Sequence, residues 1–266
     1  MSFLEAIIKH KREEVAARKR SVLRTRLEDM PKFAYRTRSL AKALREREIA
    51  VIAEIKKVAQ TTNVKKKGFD PLAAGREFVN AGATALSVVT DEKFFLGKLE
   101  LIERMRDFIT VPIVGRDFII DPYQLYEAKA YGGDAVFLLA AVLDTKQLHD
   151  LAEEATSLGL ESVVEVRTED EIEALDMSAM DIISINNRNP DSFETDIYTS
   201  VRLKKFVPND KIIVSECGIE TGKDIDLLMS HGIHAFVVGE PLLRVEEPGR
   251  ALAELLHSVE GVRSRR

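Results

Sequence analysis

The stretch that decides the fold is residues 50–63, AVIAEIKKVAQTTN. It starts as an apolar run, turns charged at Glu54, Lys56 and Lys57, and empties into a polar loop. The apolar part has to be buried, while the charged end has to reach a cavity or solvent. A buried strand with charge at its C-terminal tip is how parallel α/β enzymes build their sites.

Downstream the same pattern repeats. Apolar, β-branched runs occupy 50–55, 85–89, 112–114, 135–139, 162–166, 182–185, 212–214 and 235–238. Segments with helical spacing lie between them, at 71–80, 123–130, 145–158 and 223–231 among others. The runs start roughly 20–35 residues apart, the length of a β-loop-α-loop unit. They read as continuous rather than alternating apolar stretches, as a sheet covered on both faces requires. Gly82, Gly132, Gly159 and Gly232 stand where helices should close before the next strand. Eight such units predict an α/β fold, a closed (β/α)8 TIM barrel, spanning 1–266 as a single domain. An open doubly wound sheet would carry a G-x-G-x-x-G turn after the first strand, and that turn has none.

Ahead of the barrel, residues 1–48 form an N-terminal helical extension. Leu4, Ile7, Ile8 and Val15 recur near helical spacing over 2–20, and 39–47 reads as a second short helix. With no strand of its own, the extension is expected to pack over one end of the barrel. It carries 14 Lys and Arg against 7 Asp and Glu. That excess reads as the solvated face of an amphipathic helix, and Lys65, Lys66 and Lys67 as a solvated loop.

The chain of 266 residues has a net charge of −5, which argues against nucleic acid as a partner. One cysteine, Cys217, excludes an internal disulfide and suits a reducing compartment. No apolar run approaches the ~18 residues needed to span a bilayer, and no signal or transit peptide is legible. The expectation is a cytoplasmic protein. The five histidines are scattered, so no metal site is expected.

In a barrel the strand ends form the site. Strand one offers Glu54, Lys56 and Lys57; strand two leads to Asp91, Glu92, Lys93, Phe94 and Phe95. Strand three offers Arg116, Asp117 and Phe118; strand five, Glu165; strand six, Asn186, Asn187 and Arg188. Strand seven ends in Ser215, Glu216, Cys217, Gly218 and Ile219, and strand eight in Gly239 and Glu240. Carboxylates crowded among cations suit acid–base chemistry on an anionic substrate. Gly218 and Gly239 follow strands seven and eight, where many barrels bind phosphate through backbone N–H groups.

The segments VIAEIKK, DEKFFLG, RDFIIDPYQLYEA, VVEV, INNRN, VSECGI and VVGEPLL, in this order, resemble the indole-3-glycerol-phosphate synthase family of tryptophan biosynthesis. The resemblance covers nearly the whole chain. It implies a carboxy-lyase, free of cofactor, that closes an indole ring on 1-(2-carboxyphenylamino)-1-deoxyribulose 5-phosphate. It implies catalytic roles for Glu54, Lys56, Arg116, Glu165 and Asn186, with Glu165 the acid–base group of the dehydration. Lys57, Phe94 or Phe95, Phe118, Arg188 and Glu216 would bind substrate. Cys217, Gly218, Ile219, Gly239 and Glu240 would hold its phosphate. The leader would close the barrel as a monomer.

The sequence departs from the family pattern at three places. Arg116 stands where the family's general-acid lysine is usual, and a guanidinium surrenders a proton reluctantly. The first loop, 58–63, lacks the usual Ala-Ser-Pro-Ser. Cys217 replaces a usual serine. Two readings follow: a synthase whose acid is relocated, to Lys56 or Lys57, or a diverged barrel that keeps the phosphate pocket and either binds or converts another sugar phosphate or binds a phospho-ligand without catalysis.

Overall fold

All eight apolar runs become strands. These are β1 Ala50–Ile55, β2 Ala85–Val89, β3 Ile113–Arg116, β4 Ala135–Leu139, β5 Glu161–Val166, β6 Ile182–Asn186, β7 Ile212–Glu216 and β8 Ala235–Val238. Each pairs in parallel with the next, and β8 pairs back onto β1, so the barrel is closed. The helices are α1 Phe3–Ser21, α2 Arg24–Glu28, α3 Leu40–Arg45, α4 Pro71–Asn80, α5 Leu99–Arg106 and α6 Pro122–Ala130. They continue with α7 Thr145–Ser157, α8 Glu169–Glu173, α9 Tyr198–Leu203, α10 Gly222–Ser230, α11 Glu240–Leu243 and α12 Pro248–His257. The computed structural model describes residues 3–57, 69–189 and 192–259. The loop departure at 58–63 and the lysines at 65–67 lie outside them. No described helix is long and apolar enough to cross a membrane.

Strands β3, β6 and β7 run further than their apolar runs, taking in Arg116, Asn186 and Glu216. Hydropathy ends where side chains turn polar, but the backbone ladder continues: Val89 still pairs with Arg116 and Asn186 with Glu216. These three site residues therefore sit on strands, not on loose loops.

Successive residues of a strand face opposite sides. One set, including Ala50, Ile52, Val114, Phe137, Val163 and Val214, fills the barrel interior. The other, including Val51, Ala53, Leu86 and Val88, packs under the helices. The predicted closing glycines all take a positive φ, from 73° at Gly159 to 102° at Gly82. The segment FIIDPYQLYEA is a helix start written out in sequence. Asp121 accepts the N–H of Tyr123 at 2.9 Å, Gln124 Oε1 accepts that of Ile120 at 2.8 Å, and Pro122 takes the first turn of α6.

Two expectations for the leader are corrected. It covers both ends of the barrel, not one. On α3, Leu40, Ala41 and Leu44 join the interior cluster beside Ala50, Ala85 and Ala135, the first residues of their strands. At the opposite end α1 puts Phe3, Leu4 and Ile7 over the mouth. Nor is the basic face simply solvated. Lys11 is wholly buried, its Nζ 2.9 Å from Asp91 and 2.8 Å from Asp117. Burying an ammonium is tolerable only with such partners, and they tie α1 to the ends of β2 and β3.

Candidate active site

Walking up the inward face of five strands, small or apolar residues give way to charged or amide side chains at a common height. Ile52 is followed by Glu54, Val114 by Arg116, Val163 by Glu165, Ser184 by Asn186 and Val214 by Glu216. Each pair is two residues apart and so shares a side of the sheet. The result is a cavity of about 310 Å³ at the strand C-terminal ends. Phe3, Leu4 and Ile7 of α1, with Phe95, Phe118 and Phe193, form its apolar walls.

Arg116 is the hub. Its Nη1 donates to Glu216 Oε2 at 2.7 Å and its Nη2 to Glu165 Oε2 at 2.8 Å. Its Nε lies 3.3 Å from Glu54 Oε2, and the guanidinium sits 4.2 Å from the centroid of the Phe137 ring below. One planar fork thus joins three carboxylates from β1, β5 and β7, its three nitrogens each facing one of them. The outer oxygens have their own partners. Lys56 Nζ is 2.6 Å from Glu54 Oε1. Arg167 Nη2 and Asn186 Nδ2 donate to Glu165 Oε1 at 2.7 and 3.0 Å.

These contacts separate the acids. Burial works against ionised Glu54, but Lys56 and Arg116 outweigh it and hold its carboxyl below the usual range. Burial opposes ionised Glu165 in the same way, and Arg116 with Arg167 overcomes it. For Glu216 burial prevails: with Glu165 beside it, the group is pushed up despite Arg116. The pair titrates together and keeps its proton on the Glu216 side. Arg116 itself is driven well above its ordinary value, because its three carboxylates outweigh its burial. It does not serve as a proton donor near neutrality.

Across the mouth lie Cys217, Gly218, Ile219, Gly239 and Glu240, all lining the same cavity. Gly218 has φ +77°, and a Cβ there would come within 2.5 Å of Thr195 Cγ2. A Cβ on Gly239 would come within 2.9 Å of Glu54. Both positions need glycine for packing as well as for any ligand. Glu240 is neutralised by Arg188 at 3.0 Å and Arg244 at 2.8 Å. Burial pushes the Cys217 thiol up to about 12, so it stays protonated and is no nucleophile. The Nε atoms of Arg167 and Arg188 are buried and make no hydrogen bond among the described residues.

A family profile described as indole-3-glycerol phosphate synthase matches residues 4–255. The chain belongs to the indole-3-glycerol phosphate synthase family. Among curated relatives of that name, the one from Legionella pneumophila (strain Paris) is 41% identical over 257 residues, 96% of this chain and 98% of the relative. Those from Burkholderia vietnamiensis (strain G4) and Burkholderia ambifaria (strain AMMD) are each 40% identical over 256 residues, 95% of this chain and 98% of the relative.

Most of the positions expected from the synthase resemblance line the one cavity; Lys57 and Phe94 do not. Lys57 lies two residues past the end of β1 and does not reach the cavity lining. Asp91 accepts the backbone N–H groups of both Phe94 and Phe95, at 2.7 and 3.2 Å, and this turn parts the two rings. Phe95 faces Phe118 at 6.1 Å, whereas Phe94 packs on Phe3 and His10 of α1 at 5.9 and 5.8 Å. Contributions to this synthase-family cavity that escaped the sequence reading include Arg167, Phe193 and the start of α1. Arg167 had a signal, since it lies two residues past Glu165 on the same face. The other two depend on long-range packing.

Proposed function

We propose that the protein is an indole-3-glycerol phosphate synthase acting on 1-(2-carboxyphenylamino)-1-deoxyribulose 5-phosphate. The observation that carries this reading is one cavity in which an anion-receptive set of cations, paired carboxylates and an aromatic wall converge from separate strand ends. Its shape and charge suit an aromatic amine bearing a carboxylate at one end and a phosphate at the other. The unpartnered Nε atom of Arg188 offers a donor to one of those anions. Phe95 and Phe118 flank the ring, and the turns at Gly218 and Gly239 receive the phosphate.

Ring closure needs a proton on the ketone oxygen as the aromatic carbon attacks. Lys56 supplies it: an ammonium gives up a proton where a guanidinium does not, and Glu54 at 2.6 Å orients it. Carbon dioxide then leaves and the ring regains aromaticity. Dehydration needs a base for the amine proton and an acid for the departing hydroxyl. Glu165, held ionised, is the base; Lys56, reprotonated from solvent after ring closure and oriented by Glu54, is the acid that sends the hydroxyl off as water. Arg116 keeps the carboxylates apart and charged. The chain works as one barrel domain with residues 1–48 as its extension, as a monomer, in the cytoplasm. Sedimentation showing a stable dimer contradicts the monomer.

The test is indole fluorescence on mixing wild-type protein with the ribulose phosphate substrate, against Glu165→Gln as control. Product in the wild type and at least ~100-fold less in the variant is expected. No product, with inorganic phosphate still bound, makes the protein a diverged barrel for another sugar phosphate.

A further inference from the structure

Arg167 has no part in the roles assigned so far, yet it stands in the mouth. Its side chain is 17% exposed, within the range of the other cavity residues and well below that of the rim pairs, such as Arg250 at 70%. Its backbone is fixed from the other side: the Arg167 N–H donates to Glu171 Oε2 at 2.6 Å, and Thr168 caps α8 by accepting the Glu171 N–H at 3.2 Å. The side chain therefore leaves a pinned stretch of backbone and returns to Glu165, two residues earlier on the same strand face.

The two oxygens of Glu165 are held by different arginines. Arg116 takes Oε2 at 2.8 Å, from β3; Arg167 takes Oε1 at 2.7 Å, from the end of β5. Asn186 adds a bond to Oε1 from β6 at 3.0 Å. With donors on both oxygens, the carboxylate can neither swing out of plane nor rotate about its last bond without breaking a charged contact. We propose that Arg167 is a positioning residue for the reaction: with Arg116 it clamps Glu165 from both sides, so that this carboxylate meets the substrate as a fixed, ionised base.

The charged groups facing Glu165 are Arg116 from β3, Arg167 just past the end of β5, Glu216 from β7 and Glu54 from β1, the last offset by Lys56. Burial and the Glu54 carboxylate press Glu165 toward protonation, while Arg116, Arg167 and a hydrogen bond from protonated Glu216 hold it ionised. Arg116 is shared three ways, whereas Arg167 has Glu165 as its one carboxylate partner among the described ion pairs. Removing Arg167 takes away the partner that serves Glu165 alone. Its loss leaves the base less fixed and more easily protonated.

The inference rests on Glu165 acting in the synthase reaction, so the test has one arm that needs no turnover. Arg167→Met and Arg167→Lys are compared with wild type, after thermal melts show that each is folded. First, the carboxyl C=O infrared band of Glu165, assigned by its loss in Glu165→Gln, is titrated in the unliganded protein. In Arg167→Met it should appear at a pH at least about one unit higher than in wild type, and Arg167→Lys should restore most of the shift. Second, kcat should fall ~10–100-fold in Arg167→Met with KM held within about threefold, since a misplaced base slows chemistry more than binding. An unshifted Glu165 band overturns the proposal, and so does a raised KM with unchanged kcat, which makes Arg167 a substrate contact only. If wild type makes no indole product, the synthase reading falls while the infrared titration still decides whether Arg167 governs Glu165.

Discussion

At the residue scale, the chemistry turns on what a guanidinium does at position 116. Arg116 binds Glu54, Glu165 and Glu216 at once, and their charge keeps its proton in place. Lysine there brings a proton that can be released but forfeits the fork. Arg116→Lys is therefore predicted to speed ring closure in single turnover while costing about 1–3 kcal/mol of stability at pH 7. A slower ring closure in that variant places Arg116 itself in the chemistry. The stability cost has a pH signature. Glu54 and Glu165 have folded-state pKa values depressed by their cations. Their contribution is thus present above the unfolded carboxylate range and lost as pH falls through the folded values. Urea unfolding should show the gap between wild type and variant narrowing below about pH 4.

At the element scale, the leader helix α1 is both wall and strap. It brings Phe3, Leu4 and Ile7 to the cavity, and buried Lys11 holds it to Asp91 and Asp117. Lys11→Met strands two carboxylates in a dry contact and is predicted to cost about 3–5 kcal/mol, measured by chemical denaturation. Arg18, further along α1, lies 3.4 Å from Glu127 on α6. Burial raises Glu127 to about 7, with Arg18 opposing and Asp117 adding to the rise. A carboxyl raised above its unfolded value favours the folded state when protonated. Stability from this group is therefore complete below about pH 4 and falls as pH rises toward 7. Glu127→Gln should match wild type at about pH 4 and exceed it at pH 8 by on the order of 3 kcal/mol. Equal stability at both pH values contradicts a buried, neutral Glu127.

At the scale of the whole molecule, the barrel was legible because its rules are periodic. Continuous apolar runs, their spacing and the closing glycines located all eight strands. The ends of β3, β6 and β7 were not, because Arg116, Asn186 and Glu216 look like loop residues to hydropathy while their backbones remain in the ladder. Period-two alternation explains why Glu54, Glu165 and Glu216 meet inside. The same rule would have added Arg167. What the sequence hid is contact between distant segments. Nothing local tells that Lys11 is buried, that the leader reaches both barrel ends, or that Phe94 and Phe95 part company at Asp91.

The account's central claim is that Lys56, not Arg116, gives the proton for ring closure. Single-turnover formation of indole product by wild type and by Lys56→Met, with substrate binding measured in parallel, tests it most directly. The account predicts binding within about tenfold and a ring-closure rate reduced ~10²–10⁴-fold in the variant. Ring closure at an undiminished rate in Lys56→Met contradicts it.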